Sequence, residues 1–215
     1  MSKLLKYFLV LLPLAGCQQR SPPEPPVAVK SVTLEEQLST LDELGLKLNE
    51  GVTVDDLLHS RDREEYEKQP YDLVLFALGS EVERAPLGRP VCDRVWNLDA
   101  ECIEGPGDYV TIVENLCRVA AAPNLITDIE DSVDLEAETA WLKYTVDGQQ
   151  RNYEIPVDND QADPNTVAAI MSDIARDGKH FYSKDNGQSS IWFYLDPGTA
   201  TKLNELTNNA LNGGR

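Results

Sequence analysis

Ala140-Trp141-Leu142-Lys143-Tyr144-Thr145-Val146-Asp147-Gly148, followed by the run from Arg151 to Val157, is the stretch that decides the fold. Ala140 to Val146 and Arg151 to Val157 read as the two strands of a hairpin. Asp147-Gly148 is a two-residue turn of the kind that closes a hairpin. Just beyond, Asp163-Pro164 places a capping carboxylate before a proline at the first helical position. Val167, Ile170, Met171 and Ile174 form the apolar stripe of that helix, and Gly178 ends it. His180 to Ser183 and Ser190 to Leu195 then flank Asp185-Asn186-Gly187-Gln188, a second hairpin signal. Asp196-Pro197-Gly198 leads into a last helix carrying Leu203, Leu206 and Leu211. Residues 138–211 therefore read hairpin–helix–hairpin–helix. Antiparallel hairpins with helices packed over one face of the sheet make the fold class α+β.

Working back towards the N-terminus, Thr33-Leu34-Glu35-Glu36 is a capping box, and Leu34, Leu38, Leu41 and Leu44 continue at helical spacing up to Gly45. Thr53-Val54-Asp55-Asp56 starts a second helix, expected to run to about Lys68 before Pro70 stops it. The apolar run Leu73 to Leu78 has the length of a buried strand, with a short core helix as the alternative. Residues 80–93 carry Pro86, Gly88 and Pro90 and read as a loop. Arg94 to Ile103 alternates, with Trp96, Leu98, Ala100 and Cys102 on one side, as a strand would. After Gly105-Pro106-Gly107, residues 108–121 form an amphipathic helix with Tyr109, Ile112, Val113 and Leu116 facing the core. The expected globular unit is 31–212, one domain with possible subregions 31–121 and 125–212, and Asn212 to Arg215 are read as a tail.

The chain has 19 Lys+Arg against 37 Asp+Glu and a formal charge of −18. Such acidity argues against nucleic acid, whose phosphates demand Lys and Arg. It argues equally against electrostatic adhesion to anionic lipid. It is compatible with a basic protein partner, which the field would steer inward, and equally with plain solubility.

No constellation of catalytic residues stands out. His59 and His180 are the only histidines, and neither has metal-ligand spacing. The acidic stretches 128–136 and 158–163 lack the glycine and the bidentate glutamate of a helix–loop–helix calcium site. No Gly-rich phosphate loop and no nucleophile elbow occur. No metal or cofactor is expected. Asp99, Glu101 and Glu104 follow Trp96 and make the candidate binding surface: an aromatic anchor beside carboxylates. Paired carboxylates can also hydrolyse glycans, so a glycan or peptide hydrolase is the alternative, and a structural role a further one.

Residues 1–16 have a different character. Lys3 and Lys6 precede the uncharged run Tyr7 to Leu14, too short to cross a bilayer and interrupted by Pro13. Leu14-Ala15-Gly16-Cys17 resembles the lipobox of bacterial lipoproteins. The resemblance covers about the first 20 residues. It implies that 1–16 is a signal peptide and that Cys17 becomes lipid-modified and anchors the chain to a membrane. It also implies, through Gln18 in place of an aspartate, residence at the outer membrane facing the periplasm. Removal of Lys3 and Lys6 with the signal leaves a formal charge of −20. Residues 17–30 contain Ser21-Pro22-Pro23-Glu24-Pro25-Pro26 and read as a semi-rigid tether. In an oxidising compartment the remaining cysteines make a disulfide from Cys92 to Cys102, or to Cys117, a reasonable expectation, with Cys92 expected to be accessible. Anchor, tether and a small acidic domain together resemble, in outline, bacterial immunity lipoproteins that neutralise a secreted toxin.

Overall fold

The four-stranded sheet at the centre of this protein is buried on both of its faces, and the sequence of one strand explains why. The structure is a computed structural model that describes residues 32–187 and 189–214. The lipobox, Cys17 and the proline-rich tether lie outside the described residues. The first helices are α1 (Leu34–Glu43), α2 (Val54–Leu57), α3 (Arg63–Lys68) and α4 (Asp72–Leu78). Then come β1 (Val95–Asp99), α5 (Asp108–Val119), β2 (Ile126–Asp134), β3 (Thr139–Val146) and β4 (Gln149–Ile155). The chain continues with α6 (Pro164–Ile174), β5 (His180–Asp185), β6 (Ser189–Leu195), α7 (Pro197–Leu206) and β7 (Leu211–Gly213).

The strands form two antiparallel sheets, β1-β6-β5-β7 and β2-β3-β4. In β6, Ile191-Trp192-Phe193-Tyr194-Leu195 is apolar at both parities, which only a strand covered on both sides can use. Trp192 and Tyr194 face one core, shared with α5, α6 and the three-stranded sheet. Ile191, Phe193 and Leu195 face a second core, shared with α1 to α4 and α7. The layers thus run sheet, helices, sheet, helices. By contrast β3 buries only Ala140, Leu142, Tyr144 and Val146, while Thr139 is exposed and Trp141, Lys143 and Thr145 are half-buried. Its strict alternation marks the outer sheet.

The α+β class holds, with differences that have local causes. The hairpins belong to two sheets, not one, because β1 and β2 intervene as partners. Leu73 to Leu78 is helical: α4 places Val74, Leu75 and Leu78 in the second core, with Leu73, Phe76 and Ala77 packed around it. A helix that is apolar all round is a buried one. The long helix expected from Thr53 is two, α2 and α3. Asp62 restarts the chain in extended geometry, and the Tyr66 hydroxyl takes the Leu57 carbonyl that a continuous helix would have used. Gln37, fully buried, ties α1 to this region: its Nε2 donates to the Val32 and Tyr66 carbonyls and its Oε1 accepts from Tyr71 N. The strand at 94–103 is shorter, ending at Asp99. Two strands escaped the sequence reading. One is the acidic β2. The other is β7, which takes Leu211 out of the last helix and Asn212 and Gly213 out of the tail to pair with β5.

At the junction of α4 and β1, Asn97 Nδ2 donates to the Phe76 carbonyl and Ser80 Oγ, and Asn97 N donates to the Gly79 carbonyl. A Cβ on Gly79 would overlap the Asn97 side-chain amide. Gly79→Ala is therefore expected to cost roughly 1–3 kcal/mol, the usual range for overpacking. A shift in the urea midpoint without change in slope measures it.

Candidate functional site

The four residues of the expected binding surface differ in their surroundings. Trp96 lies half-buried on the face of β1 that meets the first core, directly across from Trp192. It is a cross-strand packing residue and not a surface anchor, because the second sheet and its helices cover that face. Asp99, Glu101 and Glu104 are exposed on the strand end and the loop that follows. Asp99 Oδ1 accepts from Glu101 N, and Glu104 N donates to Asp108 Oδ2. The backbone of this loop is fastened to the segment before α6: Ile103 N donates to the Asp160 carbonyl and Ala162 N to the Ala100 carbonyl.

What does open near the end of β1 is an apolar groove of about 320 Å³. Leu98 and Ala100 contribute from the β1 side, Pro164, Val167 and Met171 from α6, and Trp192 from β6. Ala100 stands between Asp99 and Glu101 in the chain, and Asp99 pairs in register with Ser189, another lining residue. Asp99 and Glu101 are thus chain neighbours of lining residues, and the lining itself carries no carboxylate. Asp163 positions α6 there, its Oδ2 accepting from Thr166 N at 2.7 Å. Trp192 Nε1 is buried without an acceptor among the described residues. A polar hollow of about 420 Å³ lies elsewhere, but its buried Lys184 is already neutralised by Asp72 at 2.6 Å.

Nucleophilic chemistry finds no support in the thiols. Cys92, Cys102 and Cys117 are all free in the structure, so neither expected pairing of Cys92 is formed. Burial pushes each thiol up to about 11, leaving it protonated at neutral pH. Cys92 is not accessible but fully buried. The cause is Asn49, whose Nδ2 donates to the Pro90 carbonyl and Asp93 Oδ1 and whose Oδ1 accepts from Asp93 N, folding Val91 and Cys92 inward.

The densest polar network serves packing. Tyr144 and Tyr153 hydroxyls both lie within hydrogen-bond distance of Asp173 Oδ2, at 2.9 and 3.2 Å, and Arg151 Nε donates to it at 3.1 Å. Burial, then hydrogen bonds to Tyr153 and Asp173, raise the Tyr144 hydroxyl far above its ordinary range. It is a permanent donor that fastens α6 to β3 and β4. Of the acidic stretches weighed for calcium, 128–136 is mostly strand β2, with Asp131 turned to the start of α5. Among the described residues, no three His, Cys, Asp or Glu gather closely enough to hold a metal ion. Comparison with known protein families, curated proteins and solved structures returns no match to this chain.

Proposed function

We propose that this chain is a lipid-anchored protein-recognition module of the bacterial envelope, of the immunity type. Cys17 carries the anchor, residues 17–30 hold the domain off the outer membrane on its periplasmic side, and the domain occludes a basic protein such as a secreted toxin. The observation that carries the reading is the groove with an apolar lining, whose Ala100 stands in the chain between the exposed Asp99 and Glu101. It suits an apolar side chain flanked by Lys or Arg on the partner. Apolar burial would supply affinity, and the carboxylates association rate and selectivity. The hydrolase alternative needs two carboxylates facing each other across a cleft, and the groove lining has no acid.

The test begins with a deletion strain challenged with toxins encoded beside the gene. Loss of the gene should sensitise cells, the wild-type gene should restore resistance, and Val167→Glu, which puts a charge into the groove, should not. For the purified pair, reversing Asp99, Glu101 and Glu104 to Lys should slow association at least ten-fold at low salt, with a smaller effect at high salt. Unchanged sensitivity on deletion, or full rescue by a folded Val167→Glu protein, would refute the reading.

A further inference from the structure

We propose that β4 is an interaction edge that pairs with β4 of a second copy of this chain, joining two three-stranded sheets into one six-stranded sheet. The starting point is an asymmetry between the sheet's two outer strands. β2 and β4 flank β3, so among the described residues each has one side without a strand partner. A free edge offers a row of N–H and C=O groups to any extended chain, and proteins blunt edges with charge and bulges. β2 is blunted by both devices: its register breaks between Thr127 and Glu130, Asp128 sits at φ +51°, and Asp128, Glu130, Asp131 and Asp134 crowd it. β4 has neither. It pairs with β3 without a break over seven residues, contains no proline, and carries one Arg and one Glu.

Charge points to a like partner at this edge. Residues 95–142 hold eleven acids and one base, Arg118. Residues 143–157 hold Lys143 and Arg151 against Asp147 and Glu154, a net charge of zero. Two copies can come together along this segment without net negative charge meeting net negative charge.

The register follows from geometry. A two-fold axis perpendicular to the sheet keeps inward residues on one face and outward residues on the other. Arg151, Tyr153 and Ile155 face inward, opposite Tyr144, Leu142 and Ala140 of β3, and Gln150, Asn152 and Glu154 face outward. Asn152 is the midpoint of Gln149–Ile155, so an axis through it engages the whole strand. Gln150 then meets Glu154 of the second copy, an amide against a carboxylate, and Arg151 meets Tyr153. Centring on Arg151 would oppose two guanidinium groups, and centring on Tyr153 would leave the first residues of the strand unpaired.

Sedimentation of the full chain in a nonionic detergent tests this. A monomer–dimer equilibrium is expected that strengthens several-fold between 50 and 500 mM salt, because the remainder of each copy is strongly acidic and screening lowers that repulsion. Asn152→Asp sets two carboxylates face to face at the axis and should weaken the dimer at least ten-fold. Gln150→Lys sets a cation opposite Glu154 of the second copy and should tighten it. Circular dichroism melts verify that both variants fold like wild type, and both positions are exposed. A chain that stays monomeric at every concentration and salt overturns the proposal, as does a dimer indifferent to both substitutions. The groove reading stands or falls separately, since neither substitution touches it.

Discussion

Asp131→Ala is expected to destabilise the domain by roughly 2–3 kcal/mol, more than an ordinary cap removal, because the side chain holds three backbone donors at once. Asp131 Oδ1 accepts from Gly107 N at 2.6 Å, and Oδ2 accepts from Tyr109 N at 2.9 Å and Val110 N at 3.3 Å. The residue at the N-cap of α5 is Gly107, at φ +103°, which has no side chain to cap with. The carboxylate comes instead from β2, and its negative charge sits against the positive end of the helix. That helix lies between the two sheets, with Val113, Leu116 and Val119 fully buried. Loss of the cap leaves donors unpaired where water has poor access. Asp131→Asn retains an acceptor and loses the charge, so it should cost about half as much. Asp108→Ala removes a local acceptor for Glu104 N and Gly105 N and should cost less again. Urea denaturation of the three variants gives the order directly. A value for Asp131→Ala within ~0.5 kcal/mol of wild type, the scatter of neutral surface changes, would show that the cap does not hold α5 in place.

Alkaline pH should unfold this protein steeply. The ordinary thiol value is 9.0, and burial pushes Cys92, Cys102 and Cys117 up to about 11 in the fold. Between those values the unfolded chain releases thiol protons that the folded chain retains. The folded state then binds more protons, so stability falls as pH rises through this window and is unaffected by these groups below it. The loss is about 1 kcal/mol per thiol at pH 10, with three acting in the same direction. Burial also raises Tyr66, Tyr109 and Tyr144, which extends the loss at higher pH. Comparing unfolding free energies at pH 8 and pH 10 measures the slope. Cys102→Ala, the least buried of the three sites, should flatten it by about one thiol's share. A flat profile across the window would mean that the thiols are not buried as described.

Sequence pattern alone determined the elements whose signals are local. The capping box at Thr33, the Asp-Gly turn between β3 and β4 and the Asp-Pro start of α6 each concern residues within a few positions of one another. Steric preference and short hydrogen bonds decide such features before the chain has a tertiary structure. The acidity is likewise a property of composition.

Tertiary structure decided what depends on distant partners. The strand β2 carries four acids or hydroxyls in Asp128-Ile129-Glu130-Asp131-Ser132, and no intrinsic preference would make it extended. Its pairing with β3 and the demand of α5 for a carboxylate hold it there. Leu73 to Leu78 could be strand or helix by length, and the space left among α1, α3 and β1 selected a helix. Trp96 reads from its neighbours as an anchor beside carboxylates, yet the strand opposite it places Trp192 against it and turns it inward. The apolar groove was invisible in sequence, because Leu98, Val167 and Trp192 become neighbours only when β1, α6 and β6 are assembled. A side chain's type is written in the chain, but burial is a property of what packs over it, and here the cover of Trp96 comes from Trp192, 96 positions away.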